Sequence, residues 1–222
     1  IILSSMITGQ FTGQVFSTEI WNNRYQSYFE ANDPERLINR FTDKLLDDSP
    51  ITKLNLNRLY VLTTNGSASA SELVINGLNP YIDVIQIGTN TTGKYTGSVT
   101  LYDSYDFGKE NANANHKYAM QPLVFKSANK DGVGDYFNGL TPNHVMTYET
   151  GTGGVSEGEN ILDLGILGDE NEPFLDTALA LIAGEISKFT QSKPLVGIDF
   201  KTVADTKDFT LLGKSMYKDY EN

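Results

Sequence analysis

Three alternating serines and one later lysine are the residues of this chain whose types and spacing could carry out chemistry. The serines lie in the segment Asn65-Gly-Ser-Ala-Ser-Ala-Ser-Glu72, and Gly93-Lys94 follows after an apolar stretch. A serine hydroxyl attacks a carbonyl carbon when a neighbouring base accepts its proton, and a neutral lysine amine is one such base. The pattern therefore suggests a serine hydrolase that works without a catalytic histidine.

The serines lie between a predicted strand and a predicted helix. Leu59-Tyr-Val-Leu-Thr63 is a short apolar run typical of a buried strand, and the apolar spacing after Glu72 predicts a helix that ends before Pro80. The first N–H groups of a helix lack intrahelical partners, so they would stabilise a developing oxyanion there. Ser69 and Glu72 also have the spacing of a capping box, so a simple helix cap is the alternative interpretation.

Lys94 follows a second predicted strand, Asp83-Val-Ile-Gln-Ile-Gly88, in the loop formed by residues 89–94. When a helix joins two parallel strands, the loops after both strands lie at the same edge of the sheet. We therefore expect Ser69 and Lys94 to face each other. A lysine must be desolvated before it can act as a base, and the alternative is an ordinary solvated surface lysine.

These segments together resemble the C-terminal processing, or tail-specific, serine peptidases. In that family a strand leads into a SASASE-like junction, and a T-x-G-K loop follows one strand later, as in Thr91-Thr-Gly-Lys94. The resemblance implies that Ser69 is the nucleophile and that Lys94, twenty-five positions later, is the general base. It also implies that the N–H of Ala70 is one donor of the oxyanion hole.

Further segments extend the resemblance along the chain. Gly139-Leu-Thr-Pro-Asn143 is similar to the family's G-[IL]-x-P-[DN] segment, so the main similarity covers roughly 59–145. Ser5-Met-Ile7, Gly13-Gln-Val-Phe16 and Leu167-Gly-Asp-Glu-Asn-Glu-Pro173 look like the secreted members of the Bacteroidetes type. Export to the periplasm or cell envelope is expected from this resemblance alone.

Two departures from the family pattern affect the expected activity. The family commonly has a glutamine four positions after the lysine that orients the dyad, whereas this chain has Ser98, with Gln86 and Gln121 as other possible substitutes. The family also takes a second oxyanion donor from an upstream glycine-rich turn, which these residues do not contain. We therefore expect the C-terminal part of a catalytic domain, with little or no peptidase activity by itself.

The resemblance also implies the fold class. It is an α/β fold of the ClpP/crotonase-like type, with a mixed sheet built from strand-helix-strand units, and it is expected to be incomplete. We predict one domain over 1–222. Apolar residues near helical spacing predict a helix at 33–49 and another at 173–188. The other expected parts are a catalytic core at 57–148 and a tail at 189–222.

Composition narrows the classes of partner. Seventeen basic and twenty-eight acidic residues give a net charge of −11, so nucleic acid and anionic lipid would be repelled. The absence of cysteine excludes disulfides, thiol nucleophiles and thiolate metal sites. No apolar run approaches the eighteen or so residues of a membrane span. We expect a protein or peptide substrate and no cofactor.

The two histidines do not suggest another catalytic site. For an α/β-hydrolase triad with His116 or His144, the Gly-x-Ser-x-Gly pattern of the required elbow occurs only at Gly154-Val-Ser-Glu-Gly158, in a glycine-rich stretch predicted to be a loop rather than a strand-to-helix turn. The histidines also lack the H-E-x-x-H spacing of a zinc site, so no metal site is expected. A surface or structural role is the prediction for both.

Two further features concern substrate binding. An aromatic group at Trp21, Tyr25, Tyr28 and Phe29 predicts internal packing, with one wall of a substrate cleft as the alternative. A strand is predicted at 95–105, and a peptide could add along its edge if that edge were free. Two functions remain: peptide-bond hydrolysis by the serine and lysine, or a non-catalytic peptide-binding or assembly module that retains the fold.

Overall fold

The structure is a computed structural model that describes residues 1–146, 149–150, 154–155, 166–185 and 216–219. Short strands and four α-helices make up the fold of these residues. Single 3-10 turns also occur at Gly9–Phe11 and Pro34–Leu37. The helices in the described residues are α1 (Ile2–Ile7), α2 (Asn23–Asn32), α3 (Ala70–Leu78) and α4 (Pro173–Ala183). The strands are β1 (Val15–Trp21), β2 (Ile38–Arg40), β3 (Arg58–Thr63), β4 (Asp83–Gly88), β5 (Thr96–Tyr102), β6 (Ala119–Met120), β7 (Leu123–Asn129), β8 (His144–Val145), β9 (Glu149–Thr150), β10 (Gly154–Val155) and β11 (Met216–Asp219).

The strands form a larger, mainly antiparallel sheet and a smaller parallel sheet, so the predicted mixed α/β class is confirmed. The larger sheet has the order β11-β5-β7-β1-β2, with β6 paired to β5, and the smaller sheet has the order β3-β4-β8. β9 and β10 pair with each other. The smaller sheet carries both loops of the candidate site.

The predicted strand-helix-strand unit forms as expected from its apolar runs. β3 and β4 pair in parallel from Arg58 opposite Asp83 to Thr63 opposite Gly88, and α3 connects them. Gly88 ends β4 in a conformation with φ 129°, where an added Cβ would lie 1.9 Å from the carbonyl oxygen of Thr63. A side chain there would therefore separate the ends of the two strands.

The main hydrophobic core holds α3 against the larger sheet. Its central side chains include Phe16 from β1 and Leu78 from α3, both fully buried. An added Cβ at Gly77 of α3 would lie 2.3 Å from the Phe16 ring, so glycine lets helix and strand approach closely. The other buried members of this core are Ile7, Phe41, Ile75, Ile82 and Val84.

The helix predicted at 33–49 is wrong. The structure has a 3-10 turn at Pro34–Leu37, after which Ile38–Arg40 forms β2 and pairs with β1. Leu37 and Phe41 are buried, but Leu46 is 96% exposed, so the apolar spacing does not form one buried helical face. Pairing with β1 satisfies the backbone groups that a helix would otherwise have bonded internally.

Three members of the aromatic group lie on α2, a helix that the sequence did not predict, and Trp21 is the last residue of β1. Asn22 caps α2 by accepting a hydrogen bond from the Tyr25 N–H at 3.2 Å. The Trp21 ring packs against the rings of Phe29 and Phe125 at centroid distances of 5.2 and 5.4 Å. Trp21, Tyr25, Tyr28 and Phe29 also line a cavity of about 670 Å³, so the aromatic group both packs internally and forms one wall of this cavity.

The idea that a peptide adds along the strand predicted at 95–105 is wrong. β5 pairs with β11 on one side through Gly97 to Thr100. On the other side it pairs with β7 through Thr96 to Ser98, and its end pairs with β6. Because β5 has strand partners on both sides, the paired part of its backbone offers no free hydrogen-bonding edge to a substrate in the described part of the chain.

The helix predicted at 173–188 begins where expected but ends earlier. α4 starts at Pro173 and ends at Ala183, because Gly184 adopts a left-handed conformation with φ 75°. Residues 186–188 lie outside the described residues, as does most of the predicted tail at 189–222. Residues 147–148 of the predicted core at 57–148 also lie outside them, and the division into domains stays a prediction.

Candidate active site

Ser69 stands at the junction of β3 and α3 in a strained backbone conformation. It is the N-cap residue of α3, with φ 58° and ψ −112°. A residue with a Cβ rarely adopts a positive φ, and such strain tends to persist at functional sites. A sharp strand-to-helix turn of this kind presents the nucleophile of α/β-hydrolases. The strained conformation therefore favours a functional role for Ser69 in addition to helix capping.

The Ser69 side chain is buried and is not engaged in a normal cap. Ser69 is 6% exposed, and its Oγ has no hydrogen-bond partner among the described residues. A capping box is present: Glu72 accepts the Ser69 N–H at 2.8 Å, and the Ser69 side chain faces the backbone N–H of Glu72. No capping hydrogen bond of normal geometry forms to Oγ, so the hydroxyl is available for another contact.

The loop that carries Lys94 is joined directly to the serine loop. The Thr92 N–H donates to the Ser67 carbonyl at 2.9 Å, and the Thr92 hydroxyl donates to the Asn65 carbonyl at 2.7 Å. At the strand ends, the Thr63 hydroxyl donates to the Thr89 carbonyl at 3.0 Å. The expectation that the two loops meet at one sheet edge is therefore met.

Glu72 connects the backbones of the two candidate residues. Its Oε2 accepts the Ser69 N–H at 2.8 Å and the Lys94 N–H at 2.8 Å. The Glu72 side chain is fully buried, whereas Lys94 is partly buried. One carboxylate oxygen therefore fixes the main chain at both positions.

The segment 139–143 packs against the lysine loop. The Leu140 carbonyl accepts the Thr91 N–H at 3.2 Å, and Gly139 has φ 83°. An added Cβ at Gly139 would lie 2.1 Å from the Thr91 carbonyl oxygen. Asn143 continues the contact, because its Oδ1 accepts the Gln86 N–H at 2.8 Å. Three sequence segments that are far apart along the chain thus meet at this edge.

A solved structure shares this arrangement at the level of the fold. A protein of Bacteroides fragilis NCTC 9343, proposed to be an S41 protease, is 25% identical to this chain with a TM-score of 0.61. The match covers 83% of this chain and 40% of that protein. This similarity supports the resemblance to the C-terminal processing peptidase family. The chain spans less than half the length of this relative.

Other comparisons add less. The photosystem II D1 C-terminal processing protease is 16% identical with a TM-score of 0.41, covering 65% of this chain and 29% of that one. A lipoprotein from Streptococcus agalactiae is 14% identical with a TM-score of 0.41, covering 65% and 43%. No family model and no curated protein sequence matches the chain.

The candidate substitutes for the family glutamine occupy different places. The Gln86 amide donates to the Thr63 hydroxyl at 3.0 Å and to the Leu140 carbonyl at 2.9 Å. The Gln121 amide donates to the Thr100 hydroxyl at 2.9 Å. Gln86 therefore holds the segments of the site together rather than binding Lys94. Ser98 is buried in β5, and its orienting role stays a prediction.

The two histidines lie on different elements and have different neighbours. His116 Nε2 is 3.0 Å from Asp103 Oδ2 in the loop between β5 and β6, with the His116 ring against Tyr118. His144 lies on β8, where it is paired with Ile87 of β4. The lysine remains the base candidate next to the serine loop.

Tyr136 is a buried group near the site that the sequence did not single out. Its ring packs edge-on against Tyr95 at 5.6 Å, and its hydroxyl has no hydrogen-bond partner among the described residues. Burial, and secondly the negative charge of Glu72, raises the pKa of the Tyr136 hydroxyl well above its usual range. The phenol therefore stays protonated. No spacing motif marked it, because its position depends on the turn that ends at Gly139.

Proposed function

We propose that the chain is the C-terminal part of a serine endopeptidase of the C-terminal processing type, with Ser69 and Lys94 as its catalytic dyad. The proposal rests mainly on the state of Ser69. It is a strained and buried N-cap residue whose hydroxyl has no hydrogen-bond partner among the described residues. The hydrogen bonds that join its loop to the Lys94 loop support the pairing. The similarity to a proposed S41 protease supports hydrolysis of peptide bonds as the reaction.

In the proposed reaction, neutral Lys94 Nζ accepts the proton of Ser69 Oγ as the oxygen attacks the scissile carbonyl carbon. The Ala70 N–H, at the positive end of α3, donates to the oxyanion. Lys94 then gives its proton to the leaving amine as the C–N bond breaks. Water hydrolyses the acyl-enzyme by the same route, and Ser98 is the proposed group that orients Lys94.

We propose that residues 1–222 alone have little or no peptidase activity. Ala70 supplies one oxyanion donor, and the family's second donor comes from a turn that these residues do not contain. One missing donor typically raises the barrier by about 3 kcal/mol, roughly a hundredfold or more in rate. Turnover of an unfolded protein by this chain should be near background. Robust turnover that disappears in Ser69→Ala would contradict this.

The test of the dyad is labelling of the full-length protein by a fluorophosphonate probe. Ser69→Ala should abolish labelling, and Lys94→Ala should slow it by about 10²–10⁴-fold because the general base is lost. Ser71→Ala is the matched control, since Ser71 is an exposed serine two positions away, and it should label at the wild-type rate. Labelling that survives in both dyad variants would refute the assignment.

A non-catalytic peptide-binding or assembly module is the second candidate function. It is favoured by Ser98 at the family's glutamine position and by the amides of Gln86 and Gln121, which donate to other groups. This candidate predicts that a peptide binds the full-length protein while the wild type is not labelled. Specific labelling at Ser69 would exclude it.

The proposed substrate is a protein or peptide. We also propose that the protein acts after export, in the periplasm or cell envelope, as the family resemblance implies. Among the described residues, every helix is too short or too polar to cross a bilayer. The net charge of −11 argues against nucleic acid as a partner.

A further inference from the structure

We propose that Glu72 is a positioning residue whose single carboxylate sets the relative position of the nucleophile and the base. This inference rests on the proposed dyad of Ser69 and Lys94. In this role Glu72 neither attacks the substrate nor transfers a proton. The role follows from the hydrogen bonds that Glu72 accepts. They are more numerous than a helix cap requires, and most of their donors are far from Glu72 along the chain.

Both oxygens of the Glu72 carboxylate are saturated by donors. Oε2 accepts the N–H groups of Ser69 and Lys94, each at 2.8 Å. Oε1 accepts the Thr91 hydroxyl at 2.5 Å and the Gly93 N–H at 2.6 Å. Four donors around one carboxylate are what the ionised, acceptor-only form binds. Short distances of this kind are typical of charge-assisted hydrogen bonds.

The direction of the Thr91 contact is fixed by a further residue. The Thr91 oxygen accepts the Leu140 N–H at 2.7 Å, so the threonine's own proton points towards Glu72. Through this hydroxyl, the carboxylate also reaches the segment 139–143. Glu72 therefore holds three separate segments in one arrangement.

A cap alone does not account for this geometry. The capping contact is with the Ser69 N–H, three residues away, whereas the donors from Thr91, Gly93 and Lys94 are 19, 21 and 22 residues away. Glu72 is fully buried and forms no salt bridge among the described residues. The cost of burying a charge is thus offset by donors from the lysine loop and by the start of α3.

The consequence for the reaction is geometric. Ser69 Oγ and Lys94 Nζ can exchange a proton only within hydrogen-bond reach, and small displacements of reacting groups slow a reaction strongly. Glu72 anchors the main chain at both residues with the same oxygen atom. Loss of this anchor should therefore reduce the rate of bond formation at Ser69 more than the affinity for a ligand.

The test measures the labelling of the full-length protein by a fluorophosphonate probe over a range of probe concentrations. Glu72→Gln keeps the shape of the side chain, but its NH2 group must face two donors whichever way the amide turns. We expect the maximal inactivation rate to fall about a hundredfold, with the half-saturating probe concentration changed less than about twofold. Thr91→Val should lower that rate about tenfold, and Thr91→Ser, which keeps the hydroxyl, should restore it.

Glu172→Gln is the matched control. Glu172 is also a buried carboxylate at a helix start, and it accepts the N–H groups of Phe174 and Leu175. This variant should be destabilised in thermal unfolding but should label at the wild-type rate once folded. The threonine pair keeps the test decisive if Glu72→Gln does not fold.

Each outcome decides between the proposals. If Ser69→Ala abolishes labelling while Glu72→Gln or Thr91→Val labels as fast as the wild type, the positioning role is wrong and the dyad stands. Labelling that falls equally in Glu172→Gln, in step with lost stability, also overturns the positioning role. If the wild type is not labelled, the dyad and the inference built on it both fail.

Discussion

The starts of α3 and α4 make a useful comparison, because each has a buried glutamate that accepts backbone N–H groups. Glu172 is 7% exposed and, among the described residues, accepts only the N–H groups two and three residues ahead. Glu72 is 0% exposed and bonds donors from its own helix start and from a loop about twenty residues away. The Glu172 carboxylate stabilises the start of α4, whereas the Glu72 carboxylate stabilises the start of α3 and also connects two loops.

This difference separates a carboxylate that only caps a helix from one that also holds the loops of the candidate site together. In both helices the negative charge lies near the positive end of the helix dipole, which favours it. Only at α3 does the same charge hold the chain beside a strained residue, Ser69 with φ 58°. The long-range donors would keep that strain in place, because the surrounding contacts over-determine the backbone.

Removal of each carboxylate should give the largest contrast. Glu72→Ala leaves three N–H groups and the Thr91 hydroxyl without their acceptor in a buried place, so we expect a loss of about 4 kcal/mol in the free energy of unfolding. Glu172→Ala removes a local cap and should cost about 1 kcal/mol. Urea unfolding of both variants measures the two values. Equal losses would show that Glu72 is only another helix cap.

Replacing a glycine by alanine should also cost more stability in the Lys94 loop than at the end of α4. Gly93 has φ 87°, and an added Cβ would lie 2.2 Å from the Phe137 carbonyl oxygen. Gly93→Ala should therefore cost about 3 kcal/mol of stability, since a backbone atom must move and a left-handed alanine is strained.

Gly184, which ends α4, provides the control for this prediction. It has φ 75° and nothing within 4 Å of an added Cβ. Gly184→Ala should cost about 1 kcal/mol, from the left-handed conformation alone. The same unfolding measurements check both variants. A milder effect at position 93 than at 184 would mean that the lysine loop is not tightly held.

The two strands and the helix start that surround the site could be predicted from the sequence, because residue patterns over a few positions determine them. The apolar run at Asp83–Gly88 forms a strand with those bounds, and the run at 59–63 forms β3 with one residue added. The cap spacing of Ser69 and Glu72 marked the start of α3. Parallel pairing then followed from the helix between the strands, which placed the two loops at one edge.

The long-range parts could not be predicted in the same way. Two of the distant donors to Glu72 are backbone N–H groups, at Gly93 and Lys94, and no residue type identifies such a donor. The strain at Ser69 likewise depends on its surroundings rather than on its side chain. In 33–49, apolar spacing predicted a helix, but pairing of Ile38–Arg40 with β1 outweighed it.

The smallest expected effect concerns pH near the start of α4. Hydrogen bonds from the Asn171 N–H and then from its side-chain amide lower the pKa of the Asp169 carboxyl below its usual value. A lowered folded-state pKa contributes stability that is present above the unfolded pKa and is lost as pH falls through the folded one. Asn171→Ala should raise the Asp169 pKa towards its usual value without removing the backbone contact, as measured by carboxyl carbon NMR titration. Because Asp169 is exposed to solvent, labelling at Ser69 should be unchanged, and a change in labelling would show that the two helix starts are coupled.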